Sequence, residues 1–221
     1  MIPMALPYTY ILFDLDGTLT DPKEGITKSI QYALNKMEII EDDLDKLTSF
    51  IGPPLLQSFQ ELYDFSDEEA RLALQFYRER FAITGLFENE VYEGIEKLLK
   101  NLIKLNYRLA VATSKPTVFA KQILDFFNLS RYFEVIVGSE LDGTRSAKGE
   151  VIAEVLMQMK LENKDQCVMI GDRKHDIIGA SENGIDSIGV TYGYGSQQEL
   201  EHANATYIVH SVESLSIIFN R

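Results

Sequence analysis

YTYILFDLDGT, Tyr8 to Thr18, is the stretch from which the rest of the chain can be read. An aromatic, β-branched and aliphatic run from Tyr8 to Phe13 stops at Asp14. It reads as a strand buried on both faces. Asp14 and Asp16 then stand two apart, where a continuing strand would point them to opposite faces. Gly17 lets the chain turn there, so both carboxylates can reach one substrate from different directions.

Outward from this strand, the chain divides into unlike parts. From Gly25 to about Gly85 only helical spacing recurs: Ile26, Ile30, Ala33, Leu34 and Met37, then Leu55, Leu56, Phe59 and Leu62, then a stretch from Ala70 to Phe81. Ser66 followed by Glu69 is a capping-box pattern at the start of the last helix. After Val91 helix and strand alternate. Helices are expected over Ile95–Leu105, Pro116–Phe127, Gly149–Met159 and His175–Asn183, the last closed by Gly184. Strands are expected over Arg108–Thr113, Val135–Gly138, Cys167–Gly171, Ile185–Val190 and Tyr207–Val209. Apolar strands alternating with helices imply an α/β fold, a Rossmann-like, doubly wound parallel sheet. The expected division is a core of 1–19 and 90–221 with a helical insertion at 20–89. That insertion would sit over the carboxyl ends of the strands, where ligands bind in such sheets.

Composition narrows the function classes. The chain has 221 residues, 45% hydrophobic and 25% charged, enough for one core with a small appended domain. With 34 acidic against 21 basic residues the net charge is -13, which disfavours nucleic acid polymers and anionic membranes as partners. No apolar run is long enough for a membrane span. Met1 to Tyr8 lacks Lys, Arg and a long apolar stretch, so it does not read as a signal peptide and the cytoplasm is the expected location. The single cysteine, Cys167, excludes an intrachain disulfide and reads as a buried thiol. The three scattered histidines do not make a zinc site.

Polar residues collect at the strand ends: Asp14 to Thr18, Thr113-Ser114-Lys115, and Gly171-Asp172-Arg173-Lys174-His175-Asp176, with Lys148 opening a helix between the last two. The loops after parallel strands share one sheet edge, so these groups can converge. Crowded carboxylates repel, and a hard divalent cation relieves the repulsion, which makes Mg2+ the expected cofactor. One aspartate can act as nucleophile and the other as acid and base. The Thr113 and Ser114 hydroxyls suit phosphate oxygens, and Lys148 supplies fixed positive charge. These parts suit phosphoryl transfer.

DLDGT at 14–18, TSK at 113–115, Lys148 and GDRKHD at 171–176 resemble, in order and spacing, the four motifs of the haloacid dehalogenase-like hydrolase superfamily. The resemblance spans nearly the whole chain, and the insertion resembles that family's helical cap. It implies that Asp14 attacks phosphorus and that Asp16 protonates the leaving alcohol and then activates water. It implies that Thr113 binds the phosphoryl group, with help from the Ser114 amide, and that Lys148 orients Asp14. The metal would be held by the Asp14 and Asp172 carboxylates and the Asp16 carbonyl. Gly171 and Asp176 are expected to support the site, Asp176 through water or by bracing Lys148. The presence of Asp16 argues against a dehalogenase. The absence of histidine from 19–35 lowers the phosphomutase reading. The segments IGPPL at 51–55 and YGYG at 192–195 place the chain nearest the phosphoglycolate phosphatase and 5'-nucleotidase-like branch.

The expected activity is therefore that of a magnesium-dependent phosphomonoesterase. Its expected partner is a small phosphorylated metabolite, a nucleoside 5'-monophosphate or phosphoglycolate. A phosphomutase and a non-catalytic phosphate-binding protein are the alternatives. Lys115 is left as either a surface residue or a cap on the site mouth, and Arg173, Lys174 and His175 as a solvated loop face or substrate contacts. The glycines at 193 and 195 are too short a pattern for a dinucleotide fingerprint and read as a turn. IGPPL is either a rigid turn between helices or, the favoured reading, a loop dipping toward the substrate.

Overall fold

The structure is a computed structural model and describes residues 6–219. The first five residues of the expected core segment and leader reading lie outside them. The strands in chain order are β1 (Tyr10–Phe13), β2 (Thr20–Asp21), β3 (Glu90–Val91), β4 (Arg108–Pro116), β5 (Val135–Ser139), β6 (Cys167–Gly171), β7 (Asp186–Val190) and β8 (Tyr207–Val209). The helices are α1 (Lys23–Lys36), α2 (Leu55–Tyr63), α3 (Asp67–Arg80), α4 (Ile95–Lys104), α5 (Thr117–Phe126), α6 (Lys148–Gln158), α7 (Lys174–Glu182), α8 (Gln197–His202) and α9 (Val212–Phe219).

Six strands form one sheet in the order β5-β4-β1-β6-β7-β8, every pair parallel. The β1 run is apolar without interruption because both of its faces are covered. Ile11 and Phe13 join the larger core cluster with Leu109, Val111, Val168 and Ile170. Leu12 joins the second cluster with Ala110, Ala112, Met169 and the apolar side of α6. Period-two alternation thus sorts one continuous apolar string between two cores.

The insertion is helical, as its spacing predicts. Its third helix carries the capping box: the Glu69 amide donates to Ser66 Oγ at 3.3 Å and the Ser66 amide to Glu69 Oε2 at 2.9 Å. α3 then widens into a π-helical turn at Phe81–Gly85. The junction holds an antiparallel ribbon, β2 with β3, tying the two ends of the insertion together. Two residues per strand leave no periodicity to read, and the ribbon was not expected. Neither were α8, which buries only Leu200, and α9. β4 runs on to Pro116, which ends the strand and precedes α5 rather than sitting in its first turn.

Candidate active site

The carboxyl ends of the parallel strands meet at one buried acidic centre. Asp14 follows β1, Asp172 follows β6, and Asp176 lies in the first turn of α7. One carboxylate oxygen from each lies within 4.8 Å of the others. Asp14 is 3% exposed, and Asp172 and Asp176 are fully buried. Lys148, at the start of α6, answers part of this charge. Its Nζ lies 2.9 Å from Asp14 Oδ1 and 2.8 Å from Asp176 Oδ1, and donates to the Ala112 carbonyl at 3.2 Å. Asp176 therefore braces Lys148 directly, and its Oδ2 also accepts from the Arg173 amide at 3.1 Å.

Two glycines make this crowding possible. Gly17 adopts φ +78°, and a β-carbon there would fall 2.3 Å from Asp172 Oδ2. A β-carbon on Gly171 would fall 2.1 Å from the Asp176 carboxyl carbon.

Burial sets the electrostatics. It pushes Asp172 well above the ordinary carboxylate range, and Asp176 and Asp14 push it further. Burial also raises Asp176, to about 6, although Lys148 pulls the other way. Burial works against the Lys148 ammonium, yet Asp14 and Asp176 outweigh it and hold the group above its ordinary value. Three carboxylates face one ammonium, and Asp172 Oδ1 is buried without a hydrogen-bond partner. An oxygen-only donor set with surplus negative charge and an orphaned acceptor fits a hard divalent cation.

Asp16 stands apart from this trio. Its Oδ2 lies 2.8 Å from Lys115 Nζ, and both side chains are buried. Burial raises Asp16 above its ordinary value, with Lys115 opposing. The surface reading of Lys115 is therefore corrected. The strand continues to Pro116, its register with β5 shifting between Ala112 and Pro116, and Thr113 and Lys115 are both buried in that irregular stretch. The strand was expected to end at Thr113, which put Lys115 outside it. Lys115 also lies 4.4 Å from the centre of the Phe81 ring, a residue of the insertion. Thr113 is buried, and its Oγ1 accepts from the Lys115 amide at 3.3 Å. Ser114 Oγ is buried and unpartnered.

Arg173 is not a solvated loop residue. It pairs with Glu199 at 2.9 Å and donates from Nη1 to the Ile51 carbonyl at 2.6 Å, joining the Asp172 loop to IGPPL. That segment lies over the site: Gly52, Pro53 and Pro54 line a cavity of about 110 Å³ together with Asp16, Ser114 and Lys115. The 193–195 turn also serves the centre, because the Tyr194 amide donates to Asp172 Oδ2 at 2.7 Å. Its phenol bonds Asp21 of the β2–β3 ribbon.

A doubly wound parallel sheet, a helical insertion over its carboxyl edge and a buried aspartate–lysine centre mark an α/β enzyme whose candidate site lies at the carboxyl ends of the strands. The haloacid dehalogenase-like hydrolase model matches residues 11–190, and the chain belongs to that family. A 5'-nucleotidase of Pseudomonas aeruginosa is 52% identical over 211 residues, covering 96% of this chain and 95% of its own. The tyrosine-protein kinase PtkA of Mycobacterium tuberculosis is 37% identical over 91% of this chain and 68% of its own. A crystal structure described as a predicted phosphatase, from Clostridium acetobutylicum, superposes with TM-score 0.93 at 54% identity, covering 96% of this chain and 97% of that one.

Proposed function

We propose that the chain is a magnesium-dependent phosphomonoesterase acting on nucleoside 5'-monophosphates, with residues 20–89 as its cap. The observation that carries this reading is the paired arrangement of carboxylates: Asp14 braced by Lys148, and Asp16 held separately by Lys115. One carboxylate lies beside the Lys148 ammonium. The other lies under the cap, with burial favouring its protonated form. The 52% identity to a 5'-nucleotidase supports the substrate class, and a largely apolar cavity suits a nucleoside better than the small polar phosphoglycolate.

The Asp14 carboxylate attacks phosphorus and forms an aspartyl phosphate. As the P–O bond to the alcohol breaks, Asp16 gives its proton to the departing oxygen. Asp16, now a base, takes a proton from water, and the hydroxide so formed releases inorganic phosphate and restores Asp14. Lys148 fixes the attacking oxygen. Thr113 and Ser114 donate to the phosphoryl oxygens, the unpartnered Ser114 Oγ being free to do so. The cap, closed through Arg173 and Ile51, excludes bulk water. Asp14, Asp172 and the Asp16 carbonyl would hold Mg2+, with Asp176 supporting. Bound there, the ion supplies positive charge to phosphoryl oxygens.

A panel of phosphate esters, with free phosphate as the readout, tests this reading. The expected result is magnesium-dependent release, fastest from nucleoside 5'-monophosphates, and a loss of at least about 10³-fold in Asp14→Asn. Substantial turnover by Asp14→Asn would rule out covalent attack by this residue.

A further inference from the structure

The cavity above Asp16 has a chemistry of its own. Phe50, Tyr77, Phe81 and Phe119 contribute aromatic walls, and Arg78 on α3 lies among its lining residues. Arg78 also lines the neighbouring groove, which includes Gln57, Asp142 and Gly143, so it stands where the cavity meets that groove. It is half-buried, and burial opposes its charge.

Arg78 is also the exception among the described arginines. Arg71, Arg80, Arg108, Arg131, Arg145 and Arg173 each pair with a carboxylate. The Arg78 guanidinium has no ion pair or hydrogen bond among the described residues, in a chain whose net charge is -13. Its place in the last turn of α3 suits the helix dipole, but that accounts for a charge at the helix end and not for one turned into an apolar cavity. A guanidinium offers donors only, arranged in a planar fork. The group it is built to meet presents acceptors, and the space leading to it suits a flat ring.

We propose that Arg78 is a specificity residue that reads the acceptor edge of a nucleobase, favouring oxo-bearing bases over amino-bearing ones. This rests on the nucleotidase reading above. Inosine and adenosine 5'-monophosphates differ at the 6-position, a carbonyl against an amino group, and at N1, which carries a proton in the first and is an acceptor in the second. At the edge formed by N7 and the 6-position, a donor-only side chain pairs with both acceptors of the first and leaves the second's amino N–H facing an N–H.

The test is the ratio of kcat/KM for inosine over adenosine 5'-monophosphate in the intact protein with magnesium, in the unaltered chain, Arg78→Lys and Arg78→Met. A ratio between substrates is insensitive to partial loss of fold, and thermal melting of each variant accompanies it. The expected ratio is about tenfold or more in the unaltered chain, reduced in Arg78→Lys and close to unity in Arg78→Met. Equal rates on the two nucleotides in the unaltered chain, or an undiminished ratio in Arg78→Met, would overturn the proposal while leaving the nucleotidase reading intact. Hydrolysis of phosphoglycolate with no turnover of any nucleotide would overturn both.

Discussion

At the scale of single residues, the least expected feature is the buried pair of Lys115 and Asp16. Removing one member of a buried ion pair leaves the other charge uncompensated, at a cost of about 3–5 kcal/mol, whereas removing both is far milder. Lys115→Met is therefore expected to lower thermal stability sharply. The Asp16→Asn, Lys115→Met double variant should recover part of the loss, and additive losses in a double-mutant cycle would argue against coupling. The convergence of Asp14, Asp172 and Lys148 was legible because the loops after parallel strands share one sheet edge, and the sequence puts the two aspartates after strands and Lys148 at a helix start on that edge. Lys115 was not, because a lysine after a strand is usually solvated and its burial depends on two further strand residues and on Phe81 from a distant segment. Arg78 was hidden for a related reason: an arginine near a helix end looks ordinary until the absence of a partner is visible.

At the scale of elements, the order of the central strands and their flanking helices could be read because apolar runs between turn residues persist for four residues or more. What escaped was too short to show a period, such as β2 and β3, or too polar, such as α8. The β2–β3 ribbon closes the base of the insertion, and no local pattern announces a pairing between segments this far apart. α3 was announced by its capping box, and it positions Tyr77 and Arg78 in the cavity wall. Ser66→Ala removes a bond to the Glu69 amide and should cost about 1 kcal/mol, seen as a lower melting temperature. An unchanged melt would mean that tertiary packing alone holds the start of α3. Gly171 tests the join of β6 to α7. In Gly171→Ala the new methyl meets the Asp176 carboxyl carbon, so the magnesium concentration giving half-maximal activity should rise several-fold. Unaltered metal dependence would show that Asp176 can move without consequence.

At the scale of the whole molecule, the acidic centre ties stability to pH, and a cation bound there would add to it. Without a cation, the folded state holds Asp172 and Asp176 above the values they would have in the unfolded chain. The folded state then binds protons more tightly, so the stabilisation is present below the ordinary carboxylate range and is lost as pH rises through the raised values, about 6 for Asp176. Chelator-treated protein should melt lower at about pH 8 than at about pH 6, and magnesium should raise the melt at about pH 8 the most. A flat profile with no response to magnesium would count against a cation at this centre. The central claim, that Asp14 carries the phosphoryl group, is tested most directly by trapping it. Asp16→Asn is mixed with magnesium and p-nitrophenyl phosphate, whose leaving group needs no proton, then acid-quenched and mapped by mass spectrometry. Loss of the base slows hydrolysis of the intermediate, so one phosphoryl group should accumulate on Asp14. Nitrophenolate release with no phosphoryl on Asp14 at any quench time, or phosphoryl on another residue, would contradict the account.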